Sequence, residues 1–299
     1  MALNSRTHFS EHPHFLDMAN GQALKSKSST YGSHAATGLV GVLIGWTRAL
    51  PRNWLGKRIG FFLRRVAISL LNGKPVDAES LGARFRLHPY NNVCEKRILF
   101  APRDFDETER ELLISRLHPK FVFLDIGANI GGYSLAVAAK AGPGARILAF
   151  EPQPEIFERL IYNIRINPFG NVKALAVAVA DRDGELTLFL DPRNKGEASV
   201  KIVSADNVRQ VRVPARTLLG IVQEEGFDHI DAMKLDVEGA EDLILKRFFA
   251  DAPETLWPKL IIVERGEDRW GLDLLGFLAE RGYASIGGTR NNHLLERAG

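Results

Sequence analysis

Four apolar runs of this chain end in an acid: FVFLD closes on Asp125, ILAFE on Glu151, AMKLD on Asp236 and LIIVE on Glu264. Stretches with helical spacing separate them. Short, continuously apolar strands alternating with helices specify a parallel sheet covered by helices on both faces. In such a sheet, ligands bind beyond the carboxyl ends of the strands. The pattern therefore predicts an α/β fold, a Rossmann-like, doubly wound, mostly parallel sheet, with four carboxylates gathered along one edge. Strands are expected at 121–125, 146–150 and 172–177 and in the runs ending near Asp236 and at Glu264. Helices are expected from the glycine loop through Lys140, at 154–167, and in EDLILKRFF and GLDLLGFLAERGY. Residues 185–190 and 208–214 read as an antiparallel flap or extra strands.

The N-terminal part has a different character. Residues 1–35 are polar, lack periodicity and are expected to be flexible. Residues 36–80 form a basic, partly apolar extension, helical over 36–72 and closed by the turn-forming Asn72-Gly73-Lys74-Pro75. Residues 81–299 are expected to make the main domain. Within it, 84–99 reads as extended and 106–117 as a helix with acids in its first turn. The uncharged stretch between His34 and Arg48 is too short to span a bilayer, which takes about 20 apolar residues. No secretory signal is visible, and the single cysteine, Cys94, suits a reducing, cytoplasmic setting and a packing role. The basic, aromatic run RNWLGKRIGFFLRRVAISLL has two readings. It could lie on the inner face of an anionic membrane through residues 38–71, or pack its apolar side on the catalytic domain, which is the reading preferred. A net charge of +3 with acids and bases interleaved does not argue for a nucleic-acid partner.

The loop after the first strand reads Asp125-Ile126-Gly127-Ala128-Asn129-Ile130-Gly131. A dinucleotide site asks for G-x-G-x-x-G, with the pyrophosphate on the helix N-terminus. Here a carboxylate stands where a pyrophosphate would be repelled, and it suits a cationic ligand that bears an amino acid. S-adenosylmethionine carries a sulfonium, an ammonium and a ribose, and no phosphate. Gly127 and Gly131 let the backbone approach it, and Glu151 ends the next strand where an acid can accept both ribose hydroxyls.

Three segments, FVFLDIGANIGGYSL, FEPQPEIFERLIYNIRIN and IDAMKLDVEGAEDLIL, together resemble the FkbM family of S-adenosylmethionine-dependent methyltransferases. The resemblance runs from about Arg84 to the C-terminus and leaves the N-terminal extension without a counterpart. It implies a class I methyltransferase fold and methyl transfer to a hydroxyl oxygen of a sugar, glycan, glycolipid or secondary metabolite. Carried over, Asp125, Gly127, Asn129 and Gly131 would form the donor loop, Glu151 would hold the ribose, and the turn from Ala178 to Asp181 would face the adenine. Leu219 stands where the family commonly has an acid.

On the acceptor side, Asp236 and Glu238 are the candidate catalytic residues. If the strand stays extended there, positions i and i+2 point the same way. Glu241 is expected to be an acid at the start of the next helix. Asp236, Glu238 and Glu264 could alternatively bind a divalent cation, although no histidine adjoins them, and no metal is assigned. His88 and His293 are the histidines that could reach the cleft as a base, and Lys234 could pair with Asp236. Two other classes stay open: a nicotinamide-dependent oxidoreductase, and a non-catalytic membrane-surface or partner-binding protein that keeps the fold.

Overall fold

The computed structural model describes residues 29–190, 198–199 and 209–298. Its N-terminal part holds helices α1 (Gly38–Ala49) and α2 (Trp54–Leu71), the hairpin β1 (Val76–Ser80) and β2 (Ala83–Leu87), and helices α3 (Val93–Phe100) and α4 (Glu107–Ser115). The alternating part follows as β3 (Val122–Ile126), α5 (Gly132–Ala138), β4 (Arg146–Phe150), α6 (Pro154–Arg165) and β5 (Val172–Leu175). Next come β6 (Ala178–Ala180), β7 (Gly184–Leu190), β8 (Ala198–Ser199) and β9 (Arg209–Thr217). The chain closes with α7 (Leu218–Glu224), β10 (Ala232–Leu235), α8 (Glu241–Asp251), β11 (Leu260–Glu264), α9 (Leu274–Ala279), β12 (Tyr283–Gly288) and β13 (Asn292–Arg297).

The main sheet has seven strands in the order β12-β13-β11-β10-β3-β4-β5. From β5 to β11 the neighbours are parallel, and β13 inserts antiparallel between β11 and β12. The strand order reverses between β3 and β10, so the crevice between their carboxyl ends is where a ligand is expected. Alternate side chains feed two separate cores, as a period of two requires. Phe123, Ile147 and Ile262 face one core, with Ile98, Leu113 and Leu135. Leu124, Leu148 and Ile261 face the other, with Ile221, Leu245, Phe248 and Leu278. Burial on both faces is why these strands read as unbroken apolar runs. A smaller sheet, ordered β6-β9-β7-β8, pairs β7 with β9 antiparallel, as expected for the flap.

Three local readings differ from expectation. The helical region over 36–72 is two helices, because Pro51 holds Leu50 in an extended conformation (φ −61°, ψ 145°) and ends α1. Asn53 then starts α2, its side chain accepting from the Gly56 N–H at 2.8 Å. The stretch 84–99 is extended only through Leu87, and α3 follows, capped by Asn92, whose side chain accepts from the Glu95 N–H at 3.1 Å. Ala178–Ala180 is a strand pairing with β9 rather than a turn.

The N-terminal part is tied to the sheet. β1 and β2 pair across position 80 through the two-residue turn Leu81-Gly82, both at positive φ, a geometry that matches the strand twist. The buried Asp77–Arg86 ion pair (2.7 Å) binds the chain at 29–34, with Asp77 accepting from the Gly32 and His34 N–H groups. Leu43, Ile44 and Ala67 belong to the same core as Phe123. The flexibility expected of 1–35 lies, for 1–28, outside the described residues. Among the described residues, no helix is long and apolar enough to cross a membrane.

Candidate active site

A cleft of about 310 Å³ opens at the carboxyl ends of β3, β4, β10 and β11. Of the residues expected at the site, Asp125, Gly127, Asn129, Glu151, Ala178, Asp181, Asp236 and Glu238 all line it. Gly131 stands behind the lining: it caps α5 at φ 92°, and a Cβ there would come within 2.8 Å of Leu160 Cδ1.

The glycine loop after β3 is held largely by backbone hydrogen bonds. Asp125 is buried, and its Oδ2 accepts from the Ser134 N–H (3.0 Å) and Oγ (2.6 Å). Its Oδ1 is buried with no hydrogen-bond partner among the described residues. Burial raises the Asp125 pKa, against the pull of Lys234 and Ser134. Glu151 accepts from two backbone N–H groups, Asn129 on Oε2 and Gln153 on Oε1, each at 2.9 Å. Burial nevertheless pushes its carboxyl up to about 7. Each oxygen keeps a second lone pair for another donor. Asn129 sits in the left-handed region (φ 52°), and its Oδ1 accepts from the Ile130 N–H and from Asn92 Nδ2, both at 2.9 Å. Gly127 has a reason beyond ligand approach: at φ 83°, a Cβ would stand 1.9 Å from the Asp236 carbonyl oxygen. The loop and the end of β10 are packed backbone to backbone.

Farther along the same sheet edge, at the ends of β10 and β11, one oxygen each from Asp236, Glu238 and Glu264 lie within 4.8 Å of one another. They do not converge through an extended strand. β10 stops at Leu235, and Glu238 (φ 58°) and Gly239 (φ 103°) turn left-handed, bringing Glu238 back toward Asp236. Glu241 opens α8, as expected, and is buried. Its Oε1 accepts from the Val237 and Gly239 N–H groups (3.0 and 3.2 Å), which holds that turn, and its Oε2 accepts from Trp270 Nε1 at 3.0 Å.

Two cations balance the three acids. Lys234 is buried under Asp236, donating to its Oδ2 at 2.8 Å, and its Nζ lies 4.8 Å from the Tyr133 ring centroid. Burial works against its charge, but Asp236 and Asp125 outweigh it and hold its pKa above the usual range. Arg269 bridges Glu238 and Glu264, 2.8 Å to each. Burial, with Asp236 and Glu238 nearby, pushes Glu264 up to about 8 although Arg269 pulls the other way. Neither histidine lines the cleft: His88 sits beside Glu95, and His293 Nε2 is 2.6 Å from Glu267. Cys94 does line it, with its thiol pushed up by burial and so protonated. The sequence reading missed Arg269, whose role no spacing reveals, and Asn92, which the Asn-x-x-Glu pattern before an apolar run could have flagged.

Residues 125–285 match the Methyltransferase FkbM domain, more than half of the chain. The chain belongs to the FkbM methyltransferase family. The match starts at Asp125, so the stretch from Arg84 to Leu124 lies outside it. Among curated proteins, the FkbM chain is similar to the methyltransferase sdnD of Sordaria araneosa, 31% identical over 44% of this chain and 62% of that protein. It is also similar to the hexuronic acid methyltransferase AglP of Haloferax volcanii, at 24% identity over 65% and 73%. The 2-O-methyltransferase NoeI of Sinorhizobium fredii is 27% identical over 50% and 65%. The chain thus spans under two thirds of two of these three relatives. The cofactor of the domain is S-adenosylmethionine, and the residues present fit it. The unpartnered Asp125 Oδ1 can accept from its ammonium, and Glu151 can accept from its ribose hydroxyls.

Proposed function

We propose that this FkbM domain methylates a hydroxyl oxygen of a sugar, a glycan, a lipid-linked glycan or a secondary metabolite. The observation that carries the reading is the convergence of Asp236, Glu238 and Glu264 in the cleft that Asp125 and Glu151 also line. Carboxylates accept from hydroxyl hydrogens and a protonated carboxyl donates to hydroxyl oxygens, so a cluster of such groups suits a polyhydroxylated partner. Two of the relatives are named for work on such groups, a hexuronic acid and a 2-O position.

S-adenosylmethionine, when bound, supplies the electrophilic methyl carbon on a sulfonium, which is a good leaving group. What is left to the chain is alignment and a proton. Alignment of two reactants contributes up to about 7–11 kcal/mol in ideal cases. Asp236 Oδ1 would take the proton that the acceptor hydroxyl gives up on methylation. Oδ2 of that carboxylate is already held by Lys234. Glu238, fixed by Arg269, orients the acceptor. At neutral pH Glu264, raised to about 8, is mostly protonated and can donate a hydrogen bond to an acceptor oxygen.

The test is methyl transfer from radiolabelled S-adenosylmethionine into fractionated extracts of a strain lacking the gene. Label in the polysaccharide or lipid fraction, absent with Asp236→Asn, supports the proposal. Label confined to protein or nucleic acid refutes the hydroxylated acceptor.

A further inference from the structure

Helices α1 and α2 bury one narrow stripe each and leave the rest outward. In α2 the inward positions are Gly56, Gly60, Leu63, Ala67 and Leu71. On the opposite side run Trp54, Arg58, Phe61 and Arg65, spaced i, i+4, i+7 and i+11, with Leu55 and Phe62 beside them. Trp54 is 69% exposed, Phe61 61% and Phe62 65%, and on α1 Trp46 is 58% exposed. Of the twelve large apolar side chains exposed among the described residues, nine lie on these two helices. A soluble surface rarely gathers aromatic side chains this way without a partner.

The charge on the same segment identifies the partner. Between Asp17 and Asp77 there is no acid, whereas 38–74 carries Arg48, Arg52, Lys57, Arg58, Arg64, Arg65 and Lys74. Arg48 and Arg52 are used inward, on the Leu99 carbonyl and on Glu107. Lys57, Arg58, Arg64 and Arg65 have no ion pair among the described residues, and two of them lie over aromatic rings of the same helix, Arg58 over Trp54 and Arg64 over Phe61. A second copy would bring the same unbalanced positive charge against itself, and an acid-rich protein would not need the aromatics. Rings that can sit at headgroup depth, interleaved with cations, fit an anionic lipid surface.

We propose that the α1–α2 face docks on an anionic bilayer, lying on the surface without spanning it. The proposal is independent of the methyl-transfer reading. Its geometry is consequential all the same, because α1 packs against α3, and Val93, Cys94 and Arg97 of α3 line the cleft. Docking would therefore set the cleft close to the membrane.

The experiment is flotation of the full chain with vesicles of phosphatidylcholine alone or enriched in phosphatidylglycerol. Binding is expected only to the anionic vesicles, and it should fade as salt is raised. With each cation near the surface contributing about fivefold, Arg58→Gln with Arg65→Gln should weaken it roughly 30-fold. Phe61→Ser with Phe62→Ser should also weaken it, while adenosylhomocysteine affinity stays unchanged and confirms the fold. Tryptophan emission should shift to the blue on binding and be quenched by brominated lipid, and both signals should shrink in Trp54→Phe. Equal binding to both vesicles, or to neither, would overturn the proposal. So would a dimer in light scattering that Phe62→Ser dissolves, which would make the face an interface between copies.

Discussion

Glu151 offers the sharpest single perturbation, Glu151→Gln. The carboxylate accepts the Asn129 N–H on one oxygen and the Gln153 N–H on the other. An amide of the same shape has one acceptor and one donor, so one of those N–H groups would face an NH₂. The variant therefore loses the charge-assisted bonds to the ribose and distorts the loop that places Asn129. Bonds to a charged group contribute about 1.5–3 kcal/mol, which corresponds to roughly 10- to 150-fold in affinity. The titration adds an independent signature. With the carboxyl at about 7 in the free protein, only the ionised form accepts both hydroxyls. The ionised fraction is about nine tenths at pH 8 and about one tenth at pH 6, so affinity should fall about tenfold between them. The sign is fixed: binding favours the deprotonated form, and acid weakens it. Calorimetric titration with adenosylhomocysteine reads both effects. A wild-type affinity flat from pH 6 to 8, or a Gln variant within threefold of wild type, would refute the assignment of Glu151 to the ribose.

The remaining predictions concern the other end of the cleft and the backbone. Asp236→Asn should leave adenosylhomocysteine binding intact and lower kcat by about 10²–10⁴-fold, as loss of a general base does; equal loss of donor binding would place Asp236 on the donor instead. Gly127→Ala should abolish donor binding and cost at least about 1–3 kcal/mol, because the left-handed backbone is strained for alanine and the Cβ meets a carbonyl; urea unfolding measures it. Turnover should be indifferent to chelators, since Lys234 and Arg269 already sit on Asp236, Glu238 and Glu264; recovery on adding Mg²⁺ after chelation would show that these acids take a metal. Glu264, raised from the ordinary glutamate value to about 8, stabilises the fold fully below about pH 4.5, and that contribution is lost as pH rises through 8. Glu264→Gln should therefore flatten the fall in unfolding midpoint over that window.

The sequence was readable wherever one short segment carries its own physics. β3, β4, β10 and β11 are apolar on both faces because both faces are covered, and the four acids sit at their ends. The shape of the glycine loop was readable because glycines and Asn129 mark left-handed backbone. What escaped depends on distant partners. Arg269 is an ordinary surface-like arginine in ERGEDRW until the fold sets it between Glu238 and Glu264. Glu238 was expected on an extended strand, yet its turn is fixed by Glu241 accepting two backbone N–H groups. The closing hairpin β12–β13 was missed because glycines interrupt its alternation over Ile286–Gly288. The preferred packing of the basic helices on the catalytic domain holds only for their narrow inner stripes; the aromatics point outward, because the stripe of small residues that meets the core leaves them no room inside.

The two ends of the cleft handle charge differently, and the difference matches what each would receive. At the ends of β3 and β4, the hydrogen bonds made to Asp125 and Glu151 come from neutral groups, the backbone N–H of Ser134, Asn129 and Gln153 and one hydroxyl, and Asp125 Oδ1 has none among the described residues. Burial lifts both pKa values, and at Asp125 it does so against the nearby Lys234 cation. At the ends of β10 and β11, Lys234 and Arg269 largely balance three acids, leaving polar oxygens in nearly neutral surroundings. On the proposed reading, a cationic methyl donor and an uncharged hydroxyl acceptor would each meet the end of the cleft that suits them. A dinucleotide would press its pyrophosphate against Asp125, on the side of the cleft least able to take an anion.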